Sequence, residues 1–588
     1  MYEDFLFYDI EVFKHNSMVV FKNYEGKTVK VFSSSLDGLG SLIDKGLIKK
    51  EGYGGLKSFI RGKTLVGYNN YWYDDYILYA MSERRLNDFI KTWNDRIISG
   101  ENKTGLLKID VCKTLDCFQQ IDVSKPSLKK IEGNMGKSII ESSVDFNIDR
   151  ELTPEENYET FKYCEYDVLN TLEIFKMREE YFTSKKSVTE MLPKNIQDKA
   201  YKWNTTSIIG QLLTPEKRAL QKRLVGNDKL ENVPAEVQEM WRELDTWKPG
   251  EKFKTNKVIV ERHGIVFEFG WGGLHGAPKK VTRVSDVKLK DVTSMYPNII
   301  INLNGLGDKT GEYKEILETS TRLKHEGRKA EREPYKLILN STYGLLNNKY
   351  SQLNNPWLAY SVCIYGQISL FVLCERLANV GATLINVNTD GVAYTIDSDL
   401  DESIVHDWEK EFNLSLETDY YREWIQRDVN NYIAITEKGY MTLKGGDVNK
   451  YYKNKYFSNN DIRIVQIALV DYLVKGIPVQ ETILNNLDKP LLFQYILKAG
   501  GTYKGVVYKH ESEKLLSTTT NRIFASKDEG VEILKKRQDG GLVKFADAPE
   551  RMFLWNGEVD NIEDFEKKID KQWYYDLTMQ KLKGWQEG

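Results

Sequence analysis

The 588-residue sequence predicts a multidomain fold of mixed α/β and α+β class. Three observations lead there. At about 150 residues per domain the length suggests roughly four domains. An apolar strand-like run at residues 5–13 (FLFYDIEVF) is followed by segments of helical period. Residues 384–395 (LINVNTDGVAYT) place Asp390-Gly391 between two strand-like runs, a hairpin signal because a tight turn needs positive φ. Such a hairpin lifts one carboxylate, Asp390, to the tip of a sheet edge.

Composition narrows the class. Charged residues are 29% and hydrophobic ones 41%, ordinary for a globular protein with sizeable cores. No apolar run approaches the ~18 residues of a membrane helix, and residues 1–11 are no signal peptide, so a cytoplasmic protein without membrane contact is expected. A net charge of −3 neither argues for nucleic acid nor excludes it, since binding depends on local patches. Cys112, Cys117, Cys164, Cys363 and Cys374 form no CxxC pair and are expected as buried, reduced thiols. The 35 Tyr and 12 Trp suit stacking on bases and large cores equally. No repeats or low-complexity segments occur.

In the first third, Asp9 and Glu11 interrupt the apolar strand and, at i and i+2, leave the same face. Burying two like charges is costly unless a cation neutralises them, which favours a metal site. Residues 65–78 (LVGYNNYWYDDYIL) end an apolar strand and place Asn69, Asn70 and Asp74 at the start of a helix-like run. Residues 161–175 (FKYCEYDVLNTLEIF) have helical period, with Tyr163 and Asp167 four apart on one face. A tyrosine hydroxyl beside a metal-bound carboxylate can orient an attacking water. Each segment alone reads as ordinary surface. Together, in this order, they resemble the Exo I, Exo II and Exo III motifs of proofreading 3′–5′ exonucleases. The resemblance implies that Asp9, Glu11, Asp74 and Asp167 hold two Mg²⁺ ions and that Tyr163 positions water. Asn69 matches the longer family spacing to the Tyr-Asp pair and Asn70 a shorter variant; either fits. Because the strand starts so near Met1, the large N-terminal domain of many cellular relatives is expected to be absent.

Residues 185–253 are rich in helix formers and charge, punctuated by Pro193, Pro215, Pro234 and Pro249, and read as a helical connection. Residues 267–278 (FEFGWGGLHGAP) crowd Gly270, Gly272, Gly273 and Gly276 together, which permits a tight turn or close approach to a ligand. Residues 287–300 (VKLKDVTSMYPNII) carry Asp291 directly after a strand, with Tyr296-Pro297 as terminator. Residues 336–344 (KLILNSTYG) put Lys336, Asn340 and Tyr343 close to one helical face, with Gly344 as a C-terminal cap. The run at 322–335 is basic through Arg322, Lys324, Arg328, Lys329 and Arg332. Pro334 leaves the Arg332–Lys336 geometry open.

These stretches resemble, in order, the YxGG linker (partially, with Gly270 where the tyrosine would stand), motif A (DxxSLYP), motif B (KxxxNSxYG) and motif C (DTDS) of family B DNA polymerases. The resemblance implies that Asp291, the Val292 carbonyl and Asp390 hold two Mg²⁺ ions and that Tyr296 stacks beneath the deoxyribose and excludes a 2′-hydroxyl. It further implies that Arg332, Lys336, Asn340, Tyr343 and Thr389 contact the incoming nucleotide. Motif C keeps only its second acid, because Asn388 stands where the first would be. Residues 430–445 read as a hairpin turning near Lys438-Gly439. It lies where the family carries a KxY primer motif; Tyr432 fits, Asn430 replaces the lysine, and Lys444-Gly445 offers a backbone contact. From Asp461 on, helix-period segments lead into an α+β remainder. Family A is rejected, since its motif C ends in HDE.

The expected architecture is therefore an RNase-H-like exonuclease domain (1–185), a helical junction and start of palm (186–285), palm (286–303), fingers (304–348), palm (349–450), and thumb with C-terminal region (451–588). The implied function is template-directed DNA synthesis from dNTPs with 3′–5′ proofreading, using two Mg²⁺ per site with Mn²⁺ able to substitute. The rival is a DNA-binding exonuclease with a degenerate palm. Motif A to B spans 45 residues and B to C 54, leaving little room for the insertions of protein-primed phage polymerases. A compact, phage-borne monomer extending nucleic-acid primers is expected. Its partners would be primer-template DNA, dNTPs and phage proteins such as a helicase, primase or single-strand-binding protein.

Overall fold

The computed structural model describes residues 2–101, 103–121, 124–217, 221–397, 402–453, 455–458, 462–527, 530–545 and 548–586. Asp461 lies outside the described residues.

The N-terminal sheet is built on β1 (Phe5–Val12), with β2 (Ser17–Lys22), β3 (Thr28–Ser33), β4 (Thr64–Gly67) and β5 (Lys113–Asp116) in the order β3-β2-β1-β4-β5. β1 runs antiparallel to β2 and parallel to β4, which is parallel to β5. β1 is apolar on both faces because both are covered. Leu6, Tyr8 and Ile10 pack with Ile77 and Leu78 of helix α1 (Asp74–Ser82). Phe7 packs with Phe161 and Val168 of helix α3 (Pro154–Met177), which follows the short helix α2 (Leu128–Asn134). Thr153 and Glu156 close a capping box around Pro154 and so define where α3 starts. The next helix, α4 (Glu179–Glu190), runs through the expected 185/186 boundary and packs Val188 into the central core. The proline-punctuated stretch carries short helices at Lys194–Ala200, Thr205–Leu213, Asn227–Leu230 and Ala235–Arg242, separated by non-helical connections.

The central sheet has nine strands: β6 (Val258–Arg262), β7 (Ile265–Phe269), β8 (His275–Ala277), β9 (Thr282–Val292), β10 (Thr383–Asn388), β11 (Gly391–Thr395), β12 (Leu416–Asp428), β13 (Asn431–Ile435) and β14 (Met441–Lys444). Their order is β14-β13-β12-β9-β11-β10-β8-β7-β6, every pairing antiparallel. β9 and β11 sit mid-sheet, so an acid at the end of β9 and the β10–β11 turn meet by register. One face is covered by helix α5 (Met295–Asn302), α8 (Pro356–Asn379) and α9 (Glu402–Phe412). Between them, α6 (Thr310–His325) and α7 (Lys329–Leu346) form a helical hairpin turning at Gly327, φ +70°. Residues 303–328 hold little beyond α6, and 347–382 little beyond α8.

Three expectations need correction here. Tyr296-Pro297 do not terminate the strand; β9 ends at Val292 and they open α5. Gly344 is not a cap, because α7 continues to Leu346 and closes at Asn347; Gly344 is an exposed interior position with open space where a side chain would be. An apolar helix of membrane length does exist. α8 has a mean hydropathy of 1.6 over its best window, yet 94% of that window is buried in the molecule, so its apolarity serves the core. All five cysteines are free and buried, as expected.

The C-terminal region combines α10 (Arg463–Lys475), ended by Gly476 at φ +69°, and α11 (Lys571–Gln586) with two small antiparallel sheets. One contains Tyr495–Lys498, Thr520–Ala525 and Met552–Leu554. The other contains Glu513–Leu515, Tyr503–Lys509, Glu532–Arg537 and Leu542–Lys544.

Trp408 of α9 is fully buried against α8 and donates its indole N–H to the Ser369 carbonyl at 2.7 Å. Trp408→Ala is expected to destabilise the chain by about 3–5 kcal/mol in urea unfolding. A loss below about 1 kcal/mol would contradict this packing of α9 on α8.

Candidate active sites

The first site gathers acids from three elements at one end of the N-terminal sheet. Asp9 and Glu11 share a face of β1, Asp74 is the first residue of α1, and Asp167 comes from α3 with Tyr163 one turn before it, hydrogen-bonded to the Asp167 carboxylate. Oxygens of Asp9 and Glu11 and the Cys164 sulfur lie within 4.8 Å of one another. Cys164 itself donates to the Asp9 carbonyl at 3.3 Å, and burial among these acids holds its thiol protonated. Burial, followed by the charge of Asp167, pushes Asp9 up to about 8. Burial, then neighbouring acids, raise Glu11 and Asp74, while Asp167 is raised by burial against the opposing pull of Lys129 and Tyr163. One carboxylate oxygen of Asp74 is buried without a hydrogen-bond partner among the described residues.

Against these carboxylates stands a cation, Lys129, which is not singled out by the sequence. Lys129, in the first turn of α2, pairs with Asp167, lies 3.4 Å from Glu132 and sits 4.6 Å over the Tyr163 ring. Burial pulls its pKa down, but Asp167 and Glu132 outweigh that and the net shift is upward. Its sequence signal, a lysine pair in KKIE, is that of a solvated helix face. The balance remains negative, so the donor set fits hard divalent cations of the Mg²⁺ or Mn²⁺ kind.

The neighbouring acid has another task. Asp75 accepts from Tyr8 at 2.7 Å, Asn70 at 3.0 Å and Thr114 at 3.0 Å, all buried. Asn70 is thereby committed to the core, while Asn69, in a left-handed turn (φ +63°) with its backbone N–H donating to Asp116 at 2.7 Å, is half-buried and its side-chain amide makes no bond to the described residues. Of the two asparagines, Asn69 is the partly exposed one.

The second site lies at the β9 end. The register puts Gly391 opposite Asp291, and the Val292 N–H donates to the Asp390 carbonyl at 2.7 Å, clamping the turn against β9. The turn residues are Thr389 and Asp390. Thr389 takes the left-handed conformation (φ +58°), so the positive φ expected of Asp-Gly falls one residue earlier. Gly391 is required for another reason: a Cβ there would stand 3.2 Å from Asp291 Oδ1. Gly273 is likewise explained by packing, since its Cβ would come within 2.7 Å of Thr389 Oγ1. The Thr389 N–H donates to the Leu274 carbonyl at 2.9 Å, so the glycine-rich 270–276 segment cradles the turn.

Burial, then Asp390, Asp419 and Glu417, push Asp291 up to about 7. Burial raises Asp390, opposed by Lys444. Glu417 and Asp419, on β12 beside β9, were not identified from sequence, because only the β9–β12 register brings them in. Lys324 of α6 reaches across to Glu417 at 2.7 Å. Lys444 shares a rung with Tyr432, which stacks on Trp424 at 4.4 Å, and its charge opposes the upward shift of Asp390.

Tyr296 and Tyr343 form one aromatic wall, centroids 4.5 Å apart, their hydroxyls on Cys363 Sγ of α8 at 3.9 and 2.8 Å. α7 runs unbroken through Pro334, so Arg332 and Lys336 are one turn apart; Arg332 bonds Ser320 and Lys336 pairs with Glu333. Asn340 is exposed on the same helix. No contact joins Arg332, Lys336 or Asn340 to Asp291 or Asp390 among the described residues. Asn388 donates to the Val429 carbonyl at 3.1 Å and to Asn430 Oδ1 at 3.3 Å, so the two positions that depart from the family pattern are bonded to each other.

A carboxylic acid whose pKa is raised by folding favours the folded state while protonated, and its ionisation costs stability as pH climbs from about 4 to its folded pKa. For Asp9 that window ends at about 8 and for Asp291 at about 7. Excess Mg²⁺ relieves the ionised sites and is therefore expected to raise the melting temperature more at about pH 8 than at about pH 5. Equal shifts at both would contradict the assignment.

No family model and no curated protein matches this sequence. Among solved structures, the family B DNA polymerase from the hyperthermophilic archaeon Pyrobaculum calidifontis is similar over 99% of this chain and 77% of its own, at 15% identity and a TM-score of 0.44.

Proposed function

We propose that the chain is a family B DNA polymerase with a 3′–5′ proofreading exonuclease. The observation that carries this reading is the register-locked meeting of Asp291 and Asp390 beside the Tyr296–Tyr343 wall, in a chain with a second, separate acid cluster. The strand order and directions of the N-terminal sheet support an RNase-H-like exonuclease domain. The antiparallel nine-stranded sheet, the α6–α7 hairpin and the C-terminal region are read as palm, fingers and thumb.

Asp291, the Val292 carbonyl and Asp390 are the groups to hold two Mg²⁺ in the palm; Asp9, Glu11, Asp74 and Asp167 are those in the exonuclease. Bound there, the ions supply activation of the attacking oxygen and neutralisation of charge on the phosphates. The flat Tyr296 ring supports the deoxyribose and leaves no room for a 2′-hydroxyl. Tyr343 and Asn340 face the incoming base, and Arg332 and Lys336 offer cations to its triphosphate. Tyr432 and Lys444 lie where a primer terminus would approach Asp390. In the exonuclease, Asn69 holds the strand while Tyr163 orients water with Lys129 beside it. The slender 303–328 and 347–382 connections support extension of nucleic-acid primers by a compact phage-type enzyme; efficient extension of a terminal-protein serine instead would overturn that part.

The rival, a nuclease with a degenerate palm, draws on Asn388 and Asn430. Their mutual hydrogen bond, tying the end of β10 to the β12–β13 turn, gives both a packing role, and intact Asp291, Lys336 and Tyr343 weigh against the rival. In primer extension with Mg²⁺ and dNTPs, Asp390→Ala is expected to lower incorporation by about 10³-fold or more while sparing degradation of single-stranded DNA, and Asp9→Ala to do the reverse. Loss of both activities in both variants would refute two separate sites. Asn388→Ala, which removes a positioning contact and no charge, is expected to cost far less incorporation than Asp390→Ala; equal damage would refute this division of labour.

A further inference from the structure

Arg522, on the strand Thr520–Ala525, is fully buried, yet no carboxylate pairs with it among the described residues. Its guanidinium spends every bond on uncharged oxygens. Nε donates to Gln494 Oε1 at 2.8 Å, one terminal nitrogen to the Gly557 carbonyl, and the other to the carbonyls of Gly133 (3.2 Å) and Lys137 (2.7 Å). A buried cation without a counter-charge is costly, and it persists where its donors are satisfied and its position matters. Gly133 lies in the last turn of α2 and Lys137 just past it, where the negative end of the helix dipole favours a positive charge.

Further bonds converge on the same end. The Gln494 amide donates to the Asn134 carbonyl at 3.3 Å, and the backbone N–H groups of Val559 and Ile139 exchange with the carbonyls of Gly136 and Asn556 at 2.9 and 2.8 Å. Packing is tight enough that a Cβ on Gly133 would come within 2.9 Å of Ile496. About a turn and a half away, the other end of α2 carries Lys129, on Asp167 and over Tyr163. The helix is thus a strut, with the C-terminal region at one end and the first acid cluster at the other.

We propose that Arg522 is a positioning residue for the first acid cluster: by clamping the carboxyl end of α2 it fixes the Lys129 ammonium on Asp167, so that hydrolysis there depends on the docked C-terminal region. The activity arm of the test rests on the exonuclease reading above; the labelling arm does not.

The test uses the full-length chain with Arg522→Gln, Arg522→Lys and Lys129→Ala. In a brief pulse of acetic anhydride read by mass spectrometry, Lys129 is expected to acetylate at least about fivefold faster in Arg522→Gln, with Arg522→Lys intermediate because one ammonium can still reach a carbonyl. For single-stranded DNA in Mg²⁺, kcat is expected to fall about tenfold with KM little changed, while dNTP incorporation stays within about twofold of wild type. In the Lys129→Ala background, Arg522→Gln is expected to add less than about twofold, since the group it positions is already gone. Unchanged Lys129 labelling, full additivity with Lys129→Ala, or a parallel fall in incorporation would each overturn the proposal. A wild-type chain that leaves single-stranded DNA intact would refute the exonuclease reading alone, and the labelling would still decide the role of Arg522.

Discussion

The constraint on which the structure turns is the repulsion among carboxylates gathered at two places in the chain, buried at the first and partly exposed at the second. Asp9, Glu11, Asp74 and Asp167 converge on one end of β1 with Lys129 beside Asp167, and Asp291 meets Asp390 with Glu417 and Asp419 beside them. Gathering such charges works against folding, most of all at the first cluster, where Glu11, Asp74 and Asp167 are buried. That the sheet registers, the capping box of α3 and the Val292–Asp390 clamp all enforce the gathering makes sense where a divalent cation completes each site. The partial counter-charges, Lys129 at one cluster and Lys324 and Lys444 at the other, temper the repulsion without cancelling it.

The two clusters are supported differently. In the first, the acids arrive on separate elements, and their mutual position depends on how α1, α2 and α3 lie against one sheet. In the second, a β-ladder sets the geometry: β9, β11 and β12 are hydrogen-bonded neighbours, and Gly391 exists in that ladder because any side chain would press on Asp291. The first site is therefore the more sensitive to docking of remote elements, which is why a buried arginine from the C-terminal region bears on it. The second is rigid at its acids and open above them, where the α6–α7 hairpin stands.

Much of this was legible in the sequence because it is local. An apolar run broken at i and i+2 by acids announces β1, four-residue spacing joins Tyr163 to Asp167, and a lone Asp-Gly announces the β10–β11 turn. What escaped is set by partners far along the chain. Lys129 meets Asp167 across 38 residues, and nothing in KKIE separates it from a solvated lysine. Glu417 and Asp419 depend on a register that periodicity does not specify. Asn388 and Asn430, each a defect when read singly, turn out to be partners across 42 residues. Backbone detail was misassigned where tertiary packing overrode local preference. Thr389 rather than the glycine takes the positive φ, Gly344 lies inside a helix that packing carries past it, and the apolarity of α8 belongs to a core.

The central claim is that both acid clusters are cation sites on one chain. The most direct measurement is a crystal structure grown with Mn²⁺, with anomalous scattering locating the ions. The account predicts anomalous peaks within coordination distance, about 2.0–2.6 Å, of carboxylate oxygens both at Asp9, Glu11, Asp74 and Asp167 and at Asp291 and Asp390. A fully occupied first site with no ion between Asp291 and Asp390 would contradict it, and would leave the central sheet without the chemistry assigned to it.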